Sequence, residues 1–104
     1  MKIFKIAFIC TLAIGLLVVA ALAAGDAARG KILFNDPKLA NGTAGVSCNS
    51  CHPGGKGLEN AGDRTDLAKI INACIVKTNK GKALDPKSAD MADLSAYIKS
   101  LKGK

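Results

Sequence analysis

Apolar and polar positions alternate along the chain in several distinct rhythms. From 6 to 20 the side chains are apolar almost without a break, behind a basic start carrying Lys2 and Lys5. Over 26–35, Ala27, Ile32, Leu33 and Phe34 follow Asp26, a residue type that caps helix N-termini, and predict a short first helix. Gly30 in its middle costs about 1 kcal/mol relative to alanine. Such a glycine implies the close approach of another helix or of a flat ligand. Leu67, Ile70, Ile71, Cys74 and Ile75 fall on one face of a helix predicted over 66–78, with Thr65 as its cap. Met91, Leu94, Tyr97, Ile98 and Leu101 form one stripe of a last helix over 89–101, capped by Ser88. Loops are expected over 36–47, around Pro37, Gly42 and Gly45, and over 79–87, which ends near Asp85-Pro86. No segment alternates as a strand would, so the fold class is all-α with three main helices.

The leading segment changes what must be folded. A basic start, an apolar run and the small residues of Ala21-Leu22-Ala23 make a secretory signal peptide over 1–23, with cleavage leaving a domain over 24–104. An uncleaved membrane anchor is the alternative, because 6–24 approaches the roughly 18 to 20 apolar residues that span a bilayer. The Ala-x-Ala site directly before Gly25-Asp26, and Gly15 within the run, favour cleavage and only transient membrane contact.

Without the leader, thirteen Lys or Arg stand against eight Asp or Glu. The domain is therefore moderately basic. Lys69, Lys77, Lys80, Lys82, Lys87, Lys99, Lys102 and Lys104 are scattered among aspartates. That pattern is a solvated surface, or a face that steers encounters with acidic partners. Nucleic acid is a poor partner, since one Tyr and three Phe in the whole chain, two of the Phe within the leader, leave little for stacking.

Three short helices cannot build a generous core, and a scaffold of this size needs a staple. The segment 48–62 is crowded with Pro53, Gly54, Gly55, Gly57 and Gly62, so something besides secondary structure must order it beyond one turn. That turn is Cys48-Asn49-Ser50-Cys51-His52. Cys-x-x-Cys-His is the signature of c-type haem attachment. Two thiols three residues apart on one turn can reach both vinyl groups of a haem. The adjacent imidazole then points at the iron from the same side. A redox-active dithiol would want a βαβ setting, which is missing here. A structural zinc site could draw on Cys48, Cys51, His52 and Cys74. A Cys48–Cys51 disulfide would close too small a loop to stabilise much. The adjacent histidine and the export signal favour one covalently bound haem c.

With CNSCH, the PGGKGL that follows it, Gly30 and Phe34 in the first helix and DLSAYIKSL at the end, the chain resembles class I monohaem cytochromes c of the periplasmic, bacterial type. The resemblance implies a small cytochrome c fold in which first and last helices cross near the haem edge, with Gly30 facing Tyr97. It implies a periplasmic one-electron carrier for redox partner proteins. No catalytic residue and no small-molecule substrate are then expected, so the protein would not be an enzyme.

The second axial position separates carrier from catalyst. His52 is the only histidine, and Met91 is the only methionine outside the leader. The cofactor-binding set is thus Cys48, Cys51, His52 and Met91, with His52 and Met91 as iron ligands. The family's ligand usually comes from a Met-Pro in a loop before the last helix, where this chain has Leu84-Asp85-Pro86. Cys74 is the rival. Its surroundings resemble haem domains of thiosulfate-oxidising cytochromes, in some of which a cysteine in this region ligates the iron. A buried inert thiol and an intermolecular disulfide are its other readings. The alternative functions are a Cys74-ligated haem subunit of a sulfur-oxidising enzyme, and a gas-binding or sensing protein with an open sixth site.

Overall fold

A computed structural model describes residues 25–104. The expected signal peptide and its cleavage site lie outside the described residues. Four α-helices follow one another: α1 (Ala27–Phe34), α2 (Cys48–Cys51), α3 (Leu67–Lys77) and α4 (Ala89–Ser100), with short 3-10 turns at Leu39–Asn41, Pro53–Gly55 and Ala61–Asp63. The described residues contain no strand, and the all-α expectation holds. None of their helices is long and apolar enough to cross a membrane.

The three long helices begin and end close to where the pattern puts them. Asp26 caps α1 by accepting from the main-chain N–H groups of Ala28 and Arg29 at 2.9 and 3.2 Å. Ser88 Oγ accepts from Met91 N–H at 3.2 Å and starts α4. For α3 the cap position is Asp66, one residue beyond the expected Thr65, and no side chain caps it. The Asp66 carboxylate is occupied by Arg64, at 2.9 and 3.3 Å.

The crossing of α1 with α4 organises the core. A Cβ at Gly30 would overlap the carbonyl oxygen of Asp93 and meet Tyr97 Cβ at 2.8 Å, so only glycine lets the backbones approach this closely. One turn further, the rings of Phe34 and Tyr97 pack with centroids 5.1 Å apart and planes inclined by 59°. A tilted aromatic pair of this kind contributes about 1 kcal/mol beyond its buried area. The crossing has a polar side too. Arg29 bridges Asp90 and Asp93, and the Asp26 N–H donates to Asp93 Oδ1 at 2.7 Å. Ile32, expected among the apolar positions of α1, faces solvent and is 70 % exposed. Eight residues of helix bring only Gly30 and Phe34 fully inside.

The rest of the core joins Leu39, Leu67, Ile71 and Ile75 to Met91, Leu94, Ile98 and Leu101. The glycine-dense segment is pinned against the end of α4. Side chains at Gly55 or Gly62 would collide with Leu101 or with Lys99 respectively. Loop 79–87 is held by Asn72, whose amide donates to the Leu84 carbonyl and accepts from its N–H, both at 2.8 Å.

Candidate haem site

The turn that carries the chemistry is short and heavily tied. His52 N–H donates to the Cys48 carbonyl at 3.0 Å and closes α2. The two intervening residues of the motif also have work. Ser50 Oγ accepts from the Ser47 N–H at 3.0 Å, locking the start of the turn. Asn49 Oδ1 accepts from the Gly54 N–H at 2.8 Å, locking the segment behind it. Neither role follows from the Cys-x-x-Cys-His spacing, which leaves those positions free.

His52 is oriented from behind. Its Nδ1 lies 3.0 Å from the carbonyl oxygen of Lys56, a pairing that puts the proton on Nδ1 and leaves Nε2 free to bind a metal. Lys56 is presented by a bend at Gly57, whose φ of +93° suits glycine. The Glu59 carboxylate accepts from the Gly57 N–H through both oxygens, at 3.1 and 3.0 Å. Main-chain hydrogen bonds hold the Glu59 carboxyl below the usual range, helped by the nearby charge of Lys56.

Cys48, Cys51 and His52 form one wall of an apolar cleft that, together with the open space at its mouth, spans about 660 Å³. Phe34, Leu94 and Ile98 line it from α1 and α4, Leu67, Ile70, Ile71 and Cys74 form its α3 wall, and Asn79 is part of the lining. Burial pushes the Cys48 thiol up, and the neighbouring Cys74 and Cys51 add to the shift. Cys74 lines the cleft and is not among the core residues. The helical phase that keeps Ile71 and Ile75 in the core turns Cys74 into the cleft. Met91 is placed differently. It is 2 % exposed within the core and does not line the cleft.

Donor chemistry and shape narrow what can fill this space. Among the described residues no three His, Cys, Asp or Glu side chains converge on a point that could hold a metal ion. The zinc arrangement is therefore not assembled. The thiols of Cys48, Cys51 and Cys74 are all free. Two thiols and an imidazole on one wall, facing apolar side chains on the other, fit a large flat apolar group held from one side. The apolar lining and the donor set both fit a porphyrin.

A family model described as the SoxA/TsdA cytochrome c domain matches residues 29–102. The chain belongs to that family. A SoxA/TsdA-type cytochrome c domain binds haem c covalently, and Cys48 and Cys51 stand where the attaching thiols are needed. It serves electron transfer with redox partner proteins. Comparison with curated proteins finds no match, and comparison with solved structures finds none either.

Proposed function

We propose that the protein is an exported monohaem cytochrome whose iron is held by His52 and Cys74, and that it passes single electrons between protein partners. Bound haem iron supplies the one-electron exchange. Cys48 and Cys51 anchor the group, Lys56 orients His52 through its carbonyl, and the apolar side chains of α1, α3 and α4 exclude water. The observation that carries the ligand assignment is that Cys74 lines the same cleft as His52, on the wall formed by α3. A thiolate at that position favours ferric iron and a low potential, where a thioether would raise it. Met91 remains the other candidate ligand, and reaching the cleft would require it to leave the core.

Ferric and ferrous spectra of Cys74→Ser and Met91→Leu separate the two. The thiolate reading expects the ferric spectrum to change in Cys74→Ser and to persist in Met91→Leu. The reverse outcome would restore the methionine.

Lys69, Lys77, Lys80, Lys82 and Lys87 are exposed, and none has an ion-pair partner among the described residues. They favour an acidic redox partner. Export to the periplasm rests on the leader over 1–23 and its Ala-x-Ala site. N-terminal sequencing of the mature protein should begin at Ala24.

A second reading has its own support. The family is named for SoxA and TsdA, and a free thiol on the cleft wall could make this chain a haem subunit of a sulfur-oxidising enzyme. Purified holoprotein should not turn over thiosulfate with an electron acceptor. Sustained turnover by the chain alone would replace the carrier reading.

A further inference from the structure

Asn79 is the most enclosed polar residue of the cleft lining, at 1 % exposed. Its N–H donates to the carbonyl of Cys74 at 3.2 Å. Its side-chain amide donates to the carbonyl of Val46 at 3.3 Å, two residues before Cys48. Its own carbonyl accepts from the N–H groups of Thr43 and Ala44, both at 3.1 Å. A single residue thus links the helix end that carries Cys74 to the segment that leads into the Cys48–His52 turn.

The neighbours of Asn79 extend the link. Thr43 Oγ1 donates to the Lys80 carbonyl at 3.3 Å, and Lys82 N–H donates to the Ala40 carbonyl at 2.9 Å. Ala40, Asn41 and Lys80 hold positive φ angles of 53°, 63° and 57°. Left-handed backbone at residues other than glycine costs about 1 kcal/mol each, and persists only where surrounding contacts over-determine it. Here the contacts are those that fasten 40–46 to 79–82. Beyond the 3-10 turn at Leu39–Asn41, neither segment has regular structure to hold it.

We propose that Asn79 is a positioning residue that sets the spacing between the Cys74 wall and the His52 wall, and with it the strength of the bond from Cys74 to iron. The inference rests on Cys74 being the second ligand. The amide of Asn79 has no other partner that would explain a fully enclosed polar side chain in the lining of an apolar cleft. Removing it frees the Val46 carbonyl and leaves the two segments joined at this residue by main-chain bonds alone, which loosens the spacing of the walls. Residues that orient a ligand from behind typically change metal affinity by about tenfold or more when replaced.

The test is imidazole binding to the ferric holoprotein, followed by its spectrum. Imidazole must displace Cys74, so its apparent affinity rises by the factor by which the Cys74 bond weakens. Asn79→Ala should bind imidazole about tenfold more tightly than the wild type. Asn79→Ser, a smaller change, should shift it in the same direction and serves if Asn79→Ala does not load haem. Asp93→Asn loosens the α1–α4 crossing without touching the cleft, and should lower thermal stability while leaving imidazole affinity unchanged. Wild-type imidazole affinity in both Asn79 variants would overturn the proposal, as would an equal rise in Asp93→Asn. Failure of the underlying ligand assignment reads out separately. In that case Cys74→Ser keeps the wild-type ferric spectrum and the wild-type imidazole affinity.

Discussion

His52 is held from behind by Lys56, whose carbonyl oxygen lies 3.0 Å from the imidazole Nδ1. The contact depends on a main-chain bend at Gly57, where a Cβ would sit 3.4 Å from that same nitrogen and φ is +93°. Gly57→Ala is therefore expected to cost about 1 to 3 kcal/mol of backbone strain. It should also displace the Lys56 carbonyl and so shift the reduction potential of the holoprotein. Redox titration beside thermal melting checks both effects. A lower melting temperature with an unchanged potential would mean that the imidazole does not depend on this contact.

At the helix crossing, the backbone carbonyl of Asp93 occupies the space where a side chain at position 30 would lie. Gly30→Ala should force α1 away from α4 and cost about 3 kcal/mol, the upper part of the usual range for overpacking. The expected result is a marked drop in the yield of holoprotein, read from haem absorbance against total protein.

Acid should loosen the same crossing. A side-chain hydrogen bond from Arg29, with help from the Asp26 N–H, holds the Asp93 carboxyl below its usual value against the opposing effect of burial. A depressed folded-state value contributes stability that is fully present above the unfolded value of about 4 and is lost as pH falls through the folded one. Asp93→Asn should melt a few degrees lower at neutral pH and show a flatter acid limb below about pH 4. Melting temperature against pH, compared with wild type, decides it.

Haem attachment should be a condition for folding. Leu67, Ile70 and Ile71 face the cleft from α3, and apolar surface left in water forgoes about 25 cal/mol per Å². A Cys48→Ala, Cys51→Ala double variant should lose much of its helical circular dichroism and become sensitive to protease. Wild-type helicity without haem would show that the protein core alone suffices.

What the chain discloses on its face is whatever depends on short spacing. Asp26 and Ser88 cap the helices they precede, Gly30 marks the crossing, and CNSCH marks the attachment turn. Contacts between distant segments are harder to read. Thr65 looks like a cap until Arg64 is seen to hold Asp66 and shift the helix start. Ile32 fits an apolar pattern, but a helix of eight residues has too narrow an inner face to use it. Cys74 and Met91 both lie on apolar stripes, and only packing reveals that one opens on the cleft and the other fills the core. Asn79 reads only as the first residue of loop 79–87. Its hydrogen bonds to Thr43, Ala44 and Val46 cross more than thirty residues, and no local pattern announces them.

The tie from the Asp26 N–H to Asp93 also bears on the order of assembly. The first helix of the domain finds its partner only in the last, so during synthesis α1 waits with Gly30 and Phe34 uncovered until α4 has emerged. Closure is a late, long-range event of the kind that slows folding. The Cys48–His52 turn lies between these two helices, and is made well before the second of them. Thioether formation thus has an interval in which both thiols stand open on an unfinished chain, and the final helix arrives to shut the group in rather than to admit it.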